Sequence, residues 1–128
     1  RSVRAARIGA FKGVTQRLLP TILHPDHVDD PAIGPIVLAM TERVGRKAFE
    51  LQQAAASGRP DFRPLLGTIA CPTLAIGGRQ DRVTPPALQE EIVAGIPGAS
   101  LELLDICGHL APLEQPDQVN RLLRALLA

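Results

Sequence analysis

The chain has 128 residues, a formal net charge of +1, and three Phe but no Trp or Tyr. That length supports one hydrophobic core, while the near-neutral charge argues against a nucleic-acid partner and the scarce aromatics against base-stacking surfaces or aromatic cages. No apolar run approaches the roughly 20 residues that cross a bilayer, so no membrane partner is expected, and two cysteines are too few for a disulfide scaffold.

In chain order, residues 1–58 are helical in pattern and carry no strand signal. Residues 1–19 suggest two short helices broken near Gly9 and Gly13. Arg1, Arg4, Arg7, Lys12 and Arg17 precede the first acidic residue, Asp26; a solvated helix face is expected there, rather than a transit peptide or an anion-binding surface. His24-Pro25-Asp26-His27, followed by Asp29 and Asp30, offers metal-capable side chains but lacks the ligand spacing of a metal motif. Pro25 and Pro31 mark it as a turn between helices, and no metal is expected. Ile33, Ile36, Val37, Met40 and Val44 form an apolar stripe. Gly45 separates it from a second helix over residues 46–57, which Gly58 ends.

Residues 59–69 lead back to a sheet. Residues 73–76 are short, apolar and bounded by Pro72 and Gly77-Gly78, the pattern of a strand buried on both faces. Thr84 is placed to cap a helix with its hydroxyl, with Pro85 and Pro86 in the first turn and Leu88, Ile92 and Ile96 as its stripe. Pro97-Gly98 ends that helix. Residues 101–106 form the second strand, which Gly108 breaks. Pro116 opens a last helix with Val119, Leu122, Leu123, Leu126 and Leu127 on one face.

A strand, a helix and a second strand with short joints imply a crossover and parallel strands. Parallel neighbours bring their C-terminal ends to one edge, where open α/β sheets keep their chemistry. Asp81 follows the first strand and His109 the second, so the two should lie side by side. A carboxylate there can accept the imidazole Nδ1 proton and leave the other ring nitrogen to act as a general base.

Three patterns sharpen this. Gly78, Asp81 and Pro85 meet G-x-x-D-x-x-x-P; residues 96–99 read I-P-G-A; Gly108, His109, Glu114 and Pro116 meet G-H-x-x-x-x-E-x-P. In this order the run resembles the C-terminal end of the α/β-hydrolase family, whose triad order is nucleophile, acid, base. The resemblance implies an α/β fold: a helical cap over residues 1–58, then a parallel β-α-β-α unit over 59–128 carrying the acid and histidine loops. Residues 52–66 also resemble the return segment of esterase-like and lactonase-like members. The family nucleophile sits on G-x-S-x-G, and the serines here, Ser2, Ser57 and Ser100, lack that setting. The expectation is therefore a C-terminal piece of a longer protein, beginning after the family's sixth strand.

The resemblance implies a cytoplasmic serine hydrolase acting on a carboxylic ester, lactone or related acyl substrate, with His109 as base, Asp81 as its orienting acid and no cofactor. Ile36, Met40 and Phe49 are candidates to line the acyl pocket. Cys71 and Cys107 fall at opposite ends of the sheet and should not pair, as in a reducing compartment. Cys107 is expected to be a buried filler rather than a nucleophile. Asp105 ends a strand rather than lying on the adjacent loop, so Asp81 is preferred as the acid. Glu114 is expected to brace the histidine loop or the last helix, and Arg79 and Arg82 to face solvent. A reading of another class makes the chain a non-catalytic assembly module, its open strand edge pairing with the missing N-terminal half or a second copy. A perhydrolase or haloperoxidase-like activity would use the same residues.

Overall fold

A computed structural model of the protein describes Gly13 and residues 15–128. The helices expected over residues 1–19 and the basic run that starts at Arg1 fall largely outside that range. Where the description begins, a 3-10 turn over Gln16–Leu18 runs into α1 (Leu19–Ile22), and a second 3-10 turn covers Pro25–His27. Next come α2 (Gly34–Ser57), a 3-10 segment (Arg63–Thr68), β1 (Leu74–Gly78), α3 (Pro86–Gly95), β2 (Ser100–Leu104), α4 (Ala111–Glu114) and α5 (Pro116–Leu127).

The helical region matches its sequence pattern, including the break. Gly45 has φ 71° and ψ 171°, which splits α2 into two helical pieces. No side chain adopts that backbone readily, so glycine is required there. The expected stripe is only partly buried: Ile33 and Val37 are in the core, whereas Ile36, Met40 and Val44 are exposed. Leu19, Leu23, Ile33 and Val37 form one core cluster, against which Val28, Leu110 and Leu113 pack. Burying each leucine of that cluster contributes roughly 1.5–3 kcal/mol. Because Leu110 and Leu113 belong to the histidine loop and α4, this cluster fastens the helical region to the loop that matters most.

The sheet is parallel, with Leu74 opposite Ser100 through to Gly78 opposite Leu104. The crossover helix α3 packs on both strands. A second core cluster, Leu104, Cys107, Ala111 and Val119, lies beneath the end of β2 and ties α4 and α5 to it.

Four local expectations are corrected. First, β1 is not buried on both faces: Leu74, Ala75 and Ile76 are half-buried and only Gly77 and Gly78 are buried. The strand has a single partner among the described residues, so part of it stays open. Second, β2 stops at Leu104 rather than residue 106. Ile106 has φ 51°, left-handed backbone that costs a β-branched residue about 1–2 kcal/mol. Hydrogen bonds hold it there: Gln115 Nε2 donates to the carbonyls of Asp105 and Ile106, and the Cys107 N–H donates to Gln80 Oε1. Third, Thr84 does not cap α3. The capping position belongs to Pro85, and the Thr84 hydroxyl is engaged elsewhere. Fourth, the stripes of α3 and α5 are mostly exposed, with Ile96 and Val119 as their buried members. The helix α4 has no counterpart in the sequence reading. Among the described residues no helix is long and apolar enough to cross a membrane.

Candidate active site

Beyond β1 the chain turns through residues stitched to the end of β2. The Arg79 N–H donates to the Leu104 carbonyl (2.9 Å) and the Gln80 N–H to the Cys107 carbonyl (3.0 Å). Two glycines permit this proximity. A Cβ on Gly78 would collide with the carbonyl oxygens of Cys107 and Gly108. A Cβ on Gly108 would lie 2.7 Å from both the His24 nitrogen and the Ile22 oxygen. The strand end, the histidine loop and the turn after α1 are thus stacked with no room between them for a side chain.

Asp81 is buried at 7% exposure and receives four donors. Its Oδ1 accepts the N–H groups of Val83 and Thr84, each at 2.8 Å, an Asx-type turn. Its Oδ2 accepts the Thr84 hydroxyl and His109 Nδ1, each at 2.9 Å. Burial by itself would raise the carboxyl pKa. The hydrogen bonds from His109, from the Thr84 backbone and hydroxyl, and from Val83 outweigh it and hold the group below its ordinary value.

His109 is held by its backbone as well as its ring. Its N–H donates to the Ile22 carbonyl at 2.7 Å. The Asp81 carboxylate only accepts, so Nδ1 carries the proton and Nε2 presents a lone pair. Thr84 Oγ1 also lies 3.3 Å from Nδ1, completing a three-way contact. The histidine side chain is 35% exposed against 5% for the aspartate, so the imidazole is reachable while its partner is sealed. Such a pair can fix a tautomer, accept a proton at Nε2 and stabilise the resulting imidazolium.

Glu114 is buried at 6% exposure. It braces the histidine loop, as its position in the sequence suggests: its carboxylate accepts the N–H groups of Gly108 and Leu110, on either side of His109. It also accepts the His24 N–H at 2.8 Å and His27 Nδ1 at 3.0 Å. The His24–His27 turn is therefore committed to this carboxylate.

The other candidates separate cleanly. Asp105 is exposed and paired with Arg79 at 2.6 Å, so it is not the acid bonded to His109. Cys107 is fully buried, and burial, followed by the charges of Glu114 and Asp81, pushes its thiol up to about 12. A thiol held protonated is a poor nucleophile. Cys71 and Cys107 are both free. Ile36 and Met40 are exposed along the first piece of α2, and Phe49 is half-buried on the second. Sequence reasoning missed the role of Thr84, because a threonine before two prolines resembles a helix cap. The spacing Asp-x-x-Thr, which suits a hydroxyl folding back on a carboxylate, is the signal that identifies it.

No family model matches the chain. Curated relatives align over part of it. The 2-hydroxy-6-oxononadienedioate/2-hydroxy-6-oxononatrienedioate hydrolase of Klebsiella pneumoniae is 44% identical over 69 residues, 54% of this chain and 24% of that protein. The enzyme of the same description from Paraburkholderia xenovorans is 43% identical over 68 residues, covering 53% and 24%. Among solved structures, a hydrolase from Pseudomonas aeruginosa PA01 superposes with TM-score 0.82 at 26% identity, covering 99% of this chain and 48% of that one. The enol-lactonase from Burkholderia xenovorans LB400 gives 0.81 at 26% identity, covering 98% and 48%. The chain thus spans about a quarter of the curated relatives it matches and about half of the solved structures.

Proposed function

We propose that this chain, which carries the C-terminal portion of an α/β-hydrolase fold, supplies the acid and base of a serine hydrolase whose nucleophile lies outside the residues described above. The substrate is a carboxylic ester, a lactone or a related acyl compound. The names of the relatives point the same way: an enol-lactonase and hydrolases of 2-hydroxy-6-oxo dienedioates. His109 Nε2 takes the proton of the attacking serine, returns it to the leaving group, and then activates water for the second step. Asp81 orients the ring and stabilises its charged form. Ile36, Met40 and Phe49 are proposed to line the acyl pocket within a helical cap that excludes water. Two unpaired cysteines support a cytoplasmic setting.

One observation carries the reading: the 2.9 Å bond from His109 Nδ1 to a buried carboxylate, made across the ends of two parallel strands, with the ring partly exposed. The test is a fluorophosphonate probe and a panel of aryl esters and lactones, applied to the complete protein that carries this chain. Labelling and turnover should both be abolished by His109→Ala. Labelling of this polypeptide by itself, or full turnover in the variant, would sink the reading.

A second reading, assembly through strand pairing, draws on the half-open β1 and the exposed Leu123, Leu126 and Leu127. The occupant of that edge would be the remaining strands of the same sheet. Light scattering coupled to gel filtration tests it: a stable monomer of this polypeptide across a wide concentration range counts against it.

A further inference from the structure

The acyl chemistry proposed above runs through Asp81 and His109, whereas Glu114, the other buried charged side chain among the described residues, braces the loop and has partners beyond it. Its surroundings are specific. The two peptide N–H groups that flank His109, those of Gly108 and Leu110, both donate to it, at 3.0 and 3.1 Å. The intervening N–H, that of His109, donates to the Ile22 carbonyl. Three consecutive amides of the loop are therefore fixed, two by one carboxylate and one by the turn after α1. That turn then reaches the same carboxylate with the His24 N–H and with His27 Nδ1. The side chain of Glu114 is wholly buried and that of His27 is 15% exposed, so this contact is largely shielded from water.

A carboxylate with this many donors is rigid, and a buried one left short of a donor is costly. The backbone of His109 has little freedom while Glu114 is fully satisfied, and among the described residues His27 supplies the one side-chain donor to Glu114. We infer that Glu114 is a positioning residue for His109 and that His27 holds Glu114 in place, so that the turn leading into α2 sets the placement of the base. This rests on the reading of His109 as general base.

The experiment measures kcat, KM and thermal midpoint of the complete protein for His27→Ala, His27→Gln and Glu114→Gln. It also records the low-field proton resonance of the His109 Nδ1–H bonded to Asp81. Misplacing a catalytic group by an ångström costs up to about a hundredfold in rate. Accordingly, Glu114→Gln is expected to lower kcat by about a hundredfold and His27→Ala by about tenfold, with KM within twofold. The low-field resonance should shift or broaden in both. His27→Gln keeps a side-chain donor and should regain most of the loss and the parent resonance. Unchanged kcat and resonance in His27→Ala, whatever the thermal midpoint does, would overturn the inference. So would a His27→Gln variant as impaired as His27→Ala. Should Glu114→Gln fail to fold, the two His27 variants decide between these outcomes. Full turnover in His109→Ala would instead remove the acyl-transfer reading, and this inference with it.

Discussion

Gly78 stands so close to the carbonyl of Gly108 that a single methyl group on it would overlap the oxygen. The end of one strand and the loop carrying His109 are thereby locked at backbone distance. Gly78→Ala should push the loop away from Asp81. We expect a loss of about 3 kcal/mol in urea unfolding, the scale of an overpacked core, together with a loss of turnover. Parent-like stability in this variant would show that the loop yields more easily than the geometry indicates.

The carboxyl of Asp81 is held below its ordinary value near 3.8. A depressed folded value means that the unfolded chain binds the proton first as pH falls. Its contribution to stability is therefore complete above that ordinary value and is lost as pH drops below it. Asp81→Asn should flatten this acid limb of the stability profile, measured by urea unfolding between pH 3 and 7. In the complete protein the same substitution should lower kcat by roughly 10⁴-fold, because an amide can stabilise the wrong imidazole tautomer.

Thr84 donates its hydroxyl to the same carboxylate oxygen that His109 uses. Thr84→Ala should cost about 1 kcal/mol, the net worth of a hydrogen bond in a half-buried site. Thr84→Ser should restore it. The diagnostic measurement is kcat/KM of the complete protein, which should fall in the alanine variant and recover in the serine variant if Thr84 helps hold the carboxylate.

The two cysteines should differ sharply towards alkylating agents. Cys71 is exposed, whereas Cys107 is fully buried with its thiol pushed up to about 12. Iodoacetamide under native conditions should modify Cys71 alone, and Cys107 only in denaturant, as read by mass spectrometry of tryptic peptides. Rapid native labelling of Cys107 would revive it as a nucleophile.

How far these features can be read from the residues alone depends on the kind of interaction involved. The Asp81–His109 meeting was legible because it follows from topology: short joints force parallel strands, and parallel strands share an edge. The break at Gly45 was legible because glycine inside a helical pattern has a local cause. Burial was not. Leu88, Ile92 and Val44 satisfy helical periodicity yet are exposed, since a stripe records what a helix can cover and not whether a neighbour arrives. The link from the His24–His27 turn to Glu114 was also out of reach. It joins residues 90 and 87 positions apart, and hydrogen bonds of that kind leave no spacing to detect.

The left-handed residue at the end of β2 has a practical consequence. Ile106 is nearly half exposed, and its backbone, not its side chain, is what Gln115 grips. Asparagine tolerates that conformation far better than isoleucine does. An Ile106→Asn variant should therefore be hardier than its parent by about 1 kcal/mol, with the acid–base pair untouched. Evolution has left an easy thermostabilising substitution within a few residues of the chemistry, and anyone engineering this protein for heat tolerance would sensibly begin there.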